Sequence, residues 1–393
     1  MGGPLTGLKV LDFSTLLPGP YSTLVLADMG AEVLRIVSGS RPDIVALMPP
    51  FIPGIKITSN VAWLGRGKRS MTLNLKDERG IKIIHQLISD YNIIIEQFRP
   101  GVMKKLGLDY PSLKEVNPSI IYGSLTSYGQ SGPQSLRAGH DINYIARSGL
   151  MSYSGRKESG PSLTGMQIAD VASGANNMII GILAAVLHRK NTGQGQYIDI
   201  SMMDGVVAFN ALAGAGVLAG GEEPKIDGML LNGGSLYDFY ETKDGKYISF
   251  GGLEPQFFSA FCKAVDCLEL IEGGVMPKDI KRAKEKVAEI FKSKNRDEWA
   301  EIFKDVDACV EPVLTLSEAL DDLHVKERGL IVELQTQQGG TVKQIATPIK
   351  FSETKPEYGK IGLPGGADTK EVLLEIGYSD ADIDEFKKTG LFD

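Results

Sequence analysis

The sequence predicts an α/β protein, with a Rossmann-like parallel sheet in a larger domain and a smaller α+β domain. Three observations lead there. Short apolar runs of strand character alternate with helix-like stretches between residues 8 and 200. A Gly-rich stretch, Ala213–Gly221, then interrupts the pattern. Beyond it a hairpin pattern is followed by helical sequence of mixed charge. Alternating strand and helix is the signature of βαβ units, whose right-handed crossovers build parallel sheets.

The elements follow in order. Leu8–Phe13 reads as a buried strand, and a loop with Pro18, Gly19 and Pro20 leads into a helix over Tyr21–Met29. Gly30 stands where a helix C-cap belongs, and Glu32–Val37 is the next strand. Ser70–Leu75 (strand), Asp77–Ser89 (helix) and Tyr91–Gln97 (strand) repeat the unit, and Ser119–Ser124 adds another strand. Residues 175–190 read as a buried helix whose last residues, His188, Arg189 and Lys190, complement the negative end of its dipole. After the turn at 191–195, Tyr197–Ile200 is again a strand. Tyr237–Phe250 reads as a hairpin turning at Lys243-Asp244-Gly245, because Asp-Gly tolerates positive φ. Helices are expected over about 278–303 and 369–388. The expected large domain is 1–212 with 329–393, and 213–328 supplies the linker and the small domain.

Composition narrows the function classes. With 42% hydrophobic residues the chain has ample material for a core, and a net charge of −7 disfavours nucleic acid or an anionic membrane as partner. Cys262, Cys267 and Cys309 have no spacing that suggests a disulfide framework or a zinc site, which fits a reducing, cytoplasmic setting. The start of the chain lacks signal-peptide character, and the apolar run Met178–Leu187 is about half the ~20 residues of a membrane span. No G-x-G-x-x-G follows the first strand and no G-x-S-x-G occurs, which disfavours dinucleotide oxidoreductases and α/β-hydrolases.

Three acid/base candidates remain. His140, in Ala138-Gly-His-Asp-Ile-Asn-Tyr144, stands at the start of a helix-like segment, where the dipole disfavours imidazolium. The alternative makes Asp141 an N-cap and His140 a surface residue. Asp170 opens the apolar helix, as an N-cap or as a functional acid. Glu254 follows two glycines and precedes Pro255, as a helix-start acid or a site residue. Two basic clusters, Arg66-Gly-Lys68-Arg69 and Lys104-Lys105 after Arg99-Pro-Gly, are either phosphate contacts or solvated surface. No histidine has a partner at metal-ligand spacing.

In their order, Leu26-Ala-Asp-Met-Gly-Ala-Glu-Val33, Arg66-Gly-Lys-Arg-Ser70, Arg99-Pro-Gly-Val102, Gly129-Gln-x-Gly-Pro133 and Gly193-x-Gly-Gln196 resemble the family III CoA-transferase superfamily. That superfamily includes the α-methylacyl-CoA racemases. The resemblance covers nearly the whole chain and implies an interlocked homodimer, with each site between the large domain of one chain and the small domain of the other. His140 and the Leu253-Glu-Pro-Gln-Phe257 stretch are similar to the racemase branch. Asp170 occurs in both branches, as the second acid/base of racemases or the covalent nucleophile of transferases.

As a racemase, the chain would invert the carbon next to an acyl-CoA thioester through an enolate. His140 and Asp170 would serve opposite faces, and Glu254 would orient the imidazole. Coenzyme A would be bound as part of the substrate, and this chemistry calls for no further cofactor or metal. The positions matching the branch's coenzyme A contacts are Arg41, Leu73, Leu75, Lys76, Gln97, Phe98, Lys105, Leu125, Asp141 and Tyr144. Lys105 stands where arginine is common, which keeps charge but loses bidentate phosphate binding. The loop from Ser38 to Pro53 is longer than the family's.

Overall fold

A computed structural model describes residues 2–337 and 339–393. By its internal contacts the chain divides into two units. The first comprises Met1–Arg147, Gly165–Ala208 and His324–Asp393, and the second Ser148–Thr164 and Phe209–Leu323.

The first unit is built on six strands: β1 (Lys9–Asp12), β2 (Glu32–Val37), β3 (Lys68–Thr72), β4 (Ile93–Glu96), β5 (Ile121–Thr126) and β6 (Tyr197–Ser201). Their order is β3-β2-β1-β4-β5-β6. Every pairing is parallel, with Val10 opposite Val33 on one side and Ile93 on the other. β4 and β5 are buried along their whole length, as central parallel strands covered on both faces must be. The order reverses between β1 and β4, and in open α/β sheets that switch point leaves a crevice at the carboxyl ends of the strands.

Among the described residues up to Thr192 there are seven α-helices: α1 (Pro18–Asp28), α2 (Ser59–Leu64), α3 (Glu78–Leu87), α4 (Val102–Lys105), α5 (Tyr110–Val116), α6 (Asp141–Arg147) and α7 (Asn176–Thr192). α1 starts earlier than the sequence suggests, because Pro18 and Pro20 sit in its first turn, where a missing N–H costs nothing. It is buried nearly all round. α3, by contrast, buries one face through Gly80, Ile83, Ile84 and Leu87. Ahead of α7 lies an eight-residue π-helical turn, Ile168–Ala175. Together they make a continuous helix of 25 residues, long and apolar enough by length and composition to cross a membrane. It extends beyond the expected 175–190 at both ends. Met178, Ile182 and Ala185 lie fully buried, and the helix packs on α1, β5 and β6. Gly123 on β5 lets Met178 approach, since a Cβ there would lie 2.5 Å from its sulfur.

The cluster Arg66-Gly-Lys68-Arg69 is neither a phosphate site nor solvated surface. Arg66 is 1% exposed and grips Asp28 through two bonds, Nε–Oδ1 at 3.0 Å and Nη2–Oδ2 at 2.6 Å, while Nη1 donates to Gln344 Oε1 and the Ile345 carbonyl. Lys68 Nζ donates to Thr23 Oγ1 and the Pro20 carbonyl and lies 3.7 Å from Asp12; burial pushes its ammonium down to about 7. Arg69 pairs with Glu375 at 2.8 Å. β3 therefore begins at Lys68 and ends before Leu73, its edge finished by Asp368 and Thr369, which accept from the amides of Ser70 and Thr72.

In the second unit, strands Asp238–Glu241, Tyr247–Phe250 and Val310–Pro312 form an antiparallel sheet in that order. The hairpin turns at Gly245, at φ +73°. Phe250, Phe261, Phe291, Trp299 and Phe303 fill its core. The Gly-rich stretch after residue 210 is helical over Ala211–Leu218, where Ala and Leu outweigh the glycines. The expected helical run to 303 is two helices, Ile280–Lys292 and Arg296–Phe303, the second started by an Asn295–Glu298 capping box. Arg156 ties the 148–164 segment to Asp227 and Asp238 within this unit.

Candidate active site

At the switch point of the first unit the loops after β1 and β4 and the ends of β5 and β6 surround a cleft of 480 Å³. That volume lies within the usual range of small-molecule sites. Leu16 and Pro18 come from the first loop, Gln97–Pro100 from the second, Leu125–Ser127 from the end of β5, and Met202 follows β6. Gly19 N donates to Gln97 Oε1 at 3.1 Å, which stitches the two loops together. Glycine is required there, because a Cβ would lie 2.2 Å from the Cβ of Ser14 and 2.8 Å from that same oxygen.

His140 and Asp170 both line this cleft. His140 is exposed and occupies the position before α6: its carbonyl accepts from the amides of Asn143 and Tyr144, and its own amide donates to Asn143 Oδ1 at 3.0 Å. Asp141 does not cap α6. Its Oδ1 accepts from the amides of Ala169 at 2.6 Å and Asp170 at 3.0 Å, so it caps the π-helical turn instead. One carboxylate thus joins the segment that carries His140 to the segment that carries Asp170. Asp170 is half-buried in the first turn of the π-helix rather than at its cap. Burial pushes its carboxyl up to about 6; the negative charge of Asp141 adds to the rise and His140 opposes it. A π-helical turn is rare and frequently marks a functional site.

A further acid underlies the wall. Glu96, at the end of β4, is 3% exposed; it accepts from the Phe98 amide at 2.7 Å and from the Ser124 hydroxyl. Burial pushes it up to about 7, the two hydrogen bonds oppose that, and Asp199 adds repulsion. Tyr144 is buried, donates to the Gly139 carbonyl, and shares a 2.8 Å hydrogen bond with Ser127.

Of the residues singled out in the sequence, the cleft brings together His140, Asp170, Gln97, Phe98, Leu125 and Tyr144. Arg41, Lys76 and Lys105 lie exposed elsewhere on the unit. Leu73 is 1% exposed within the main core and Leu75 packs against that core, so Leu73 has only backbone to offer a ligand. Glu254 belongs to the second unit, exposed, as the N-cap residue of the helix Pro255–Ala264, without a capping bond from its side chain. Leu16, Ser127, Arg137, Asn143 and Met202 line the cleft unforeseen. Only the strand order reveals them, apart from Asn143 and Arg137, which flank His140 in sequence.

The family model of CoA-transferase family III matches residues 5–369. The chain belongs to that family. It is 36% identical over 382 residues to the human α-methylacyl-CoA racemase, covering 96% of this chain and 95% of the relative. It is 31% identical over 398 residues to the human succinyl-CoA:glutarate CoA-transferase, covering 99% of this chain and 90% of the relative. Among solved structures, a CAIB/BAIF family protein from Brucella suis superposes with a TM-score of 0.84 at 28% identity, covering 96% of this chain and 100% of that one. Family III therefore includes both racemases and transferases among the relatives of this chain.

Proposed function

We propose that the chain is an α-methylacyl-CoA racemase, which removes the α-proton of a 2-methylacyl thioester and returns a proton to the opposite face. The observation that carries this reading is the presence of His140 and Asp170 on one cleft, delivered by separate elements that Asp141 joins. A carboxyl near 6 is populated in both protonation states around neutral pH, as a group that must accept and then donate requires. In one direction Asp170 accepts the α-proton and the imidazolium of His140 donates; in the other the roles exchange. The negative charge of the enolate falls on the thioester oxygen. Asn143, whose Oδ1 is held by the His140 amide, keeps its Nδ2 donor for that oxygen. The remainder of the coenzyme A supplies binding energy remote from the reacting carbon.

The reading includes a homodimer in which Glu254 of a second copy of the chain orients the His140 imidazole. Mixed refolding tests it: inactive His140→Ala and inactive Glu254→Ala chains should regain activity in verified mixed dimers. No recovery would place all three groups in one chain's site. A second reading, a CoA-transferase with Asp170 as nucleophile, draws on the likeness to the succinyl-CoA:glutarate transferase. Heavy water separates the two. A racemase washes deuterium into the α-position with no acceptor acid present; a transferase moves coenzyme A to a free acid and leaves the α-hydrogen in place.

A further inference from the structure

Among the residues that line the cleft, Leu16 has the least comfortable backbone. Its φ is +61°, a left-handed conformation that costs a branched, bulky residue energy and that glycine adopts freely. Such strain persists only where the surroundings over-determine it, and it clusters at ligand sites. Here three anchors hold the loop. Upstream, Ser14 donates both its amide and its hydroxyl to Asp12 Oδ1, and the other Asp12 oxygen takes the Thr23 hydroxyl. At Leu16 itself, the amide donates to Asp43 Oδ2 at 3.0 Å, and Arg35 clamps that same oxygen at 2.6 Å. Downstream, Gly19 is held by Gln97. Asp43 lies in the 38–53 loop, so that loop fixes a residue of the cleft wall.

The strain has a place as well as a cause. Leu16 shares the cleft with His140 and Asp170, and α1, which begins two residues later, packs along the π-helical turn that carries Asp170. Leu16, partly buried, thus forms part of the wall of the cleft that holds both groups, as does Pro18.

We propose that Leu16 is a specificity-determining residue, held in a left-handed conformation so that its side chain limits the larger substituent on the α-carbon of the acyl group. This rests on the acyl-CoA reading of the cleft and holds for proton transfer and CoA transfer alike. The test compares Leu16→Ala with Leu16→Gly. Both remove the isobutyl group, but only glycine relieves the left-handed strain. Binding of isobutyryl-CoA and 2-phenylpropanoyl-CoA is measured by calorimetry, which needs no turnover, and melting temperature is recorded alongside. Both variants should shift the affinity ratio toward the phenyl probe by roughly tenfold or more, the scale of a few methylenes in an apolar pocket. Leu16→Gly should melt above Leu16→Ala. An unchanged ratio in both variants overturns the specificity role, whatever the melting temperatures. An alanine variant that melts as high as the glycine one overturns the strained hold. A wild-type protein that binds neither probe removes the acyl-CoA reading and Leu16's role with it, whereas binding without deuterium wash-in removes only the racemase reading.

Discussion

The first unit holds two groups of ionisable side chains, and they are built on opposite principles. Beneath the edge of the sheet, Arg66 meets Asp28 and Lys68 meets Asp12 and Thr23, opposite charge against opposite charge, almost without solvent. Around the cleft, Asp170 faces the like charge of Asp141, and Glu96 faces Asp199 with only neutral donors on its oxygens. In the first group each charge meets an opposite one, which resists the burial that pushes the Lys68 ammonium down to about 7. In the second, burial and like charge act in the same direction and hold carboxyls near neutrality, where a proton can come and go. The sign of the neighbouring charge, rather than the number of charges, distinguishes the two groups.

The comparison breaks most visibly if the two groups respond alike to substitution. His140→Ala and Asp170→Ala should each cut racemisation by roughly 10²- to 10⁴-fold while leaving urea unfolding nearly unchanged. Slow α-proton exchange of one epimer should survive in each variant, with the opposite epimer favoured in the other. Near wild-type racemisation by His140→Ala would remove the two-base account. Arg66→Ala should do the reverse. It leaves Asp28 buried and unpaired, which costs about 3–5 kcal/mol of stability, while turnover per folded molecule is retained. A stable Arg66→Ala protein with reduced turnover would move that cluster from scaffold to function.

Much of the scaffold was legible because β1, β2, β4 and β5 are apolar runs and their helices bear ordinary start and stop signals. β3 begins two residues before the expected Ser70, a start hidden in the sequence because Lys68 and Arg69 look like surface. The partner that holds Arg69, Glu375, lies 306 residues away in sequence. Arg66 was unreadable for the same reason: Asp28 is 38 residues distant and Gln344 is 278. His140 and Asp170 stood out as residue types in suggestive settings. That Asp141 caps the helix of Asp170 rather than its own could not be read from spacing, since an N-cap is assigned by adjacency and this one acts across 28 residues. The rest of the cleft wall depends on strand order, which local patterns do not carry.

A smaller effect sharpens the contrast through pH. Glu96 and Asp170 are carboxyls whose folded pKa values, about 7 and about 6, lie above their ordinary ones. The folded state then binds more protons than the unfolded chain across that interval. Stability is accordingly full below the ordinary carboxylate range and is lost as pH rises through 6 and 7. Glu96→Gln removes the larger part of that loss while its amide can still serve Phe98 and Ser124. The variant should be more stable than wild type by about 2–3 kcal/mol near about pH 8, with the gain vanishing toward about pH 4.5. Urea titrations across that range measure it. A gain independent of pH would mean that Glu96 is not the group being titrated.

The smallest effect isolates a single charge. Asp141 acts on Asp170 in two ways, by accepting its amide proton and by repelling its carboxylate. Asp141→Asn keeps an oxygen for the amides of Ala169 and Asp170 but removes the negative charge. On the two-base reading, catalysis in either direction requires the His140–Asp170 pair to hold one proton, so the acid limb of kcat/KM reports the loss of the second proton from that pair rather than from one residue. Without the repulsion Asp170 gives up its proton more readily, and the acid limb should move to lower pH. The two directions must shift together, because Asp170 ionised with His140 protonated, and the reverse, are two forms of the same protonation level. A limb that stays in place while activity falls would reduce Asp141 to a structural cap. A limb that moves upward would mean that the repulsion is not what raises Asp170, leaving burial as the sole cause and weakening the contrast with the paired cluster under the sheet.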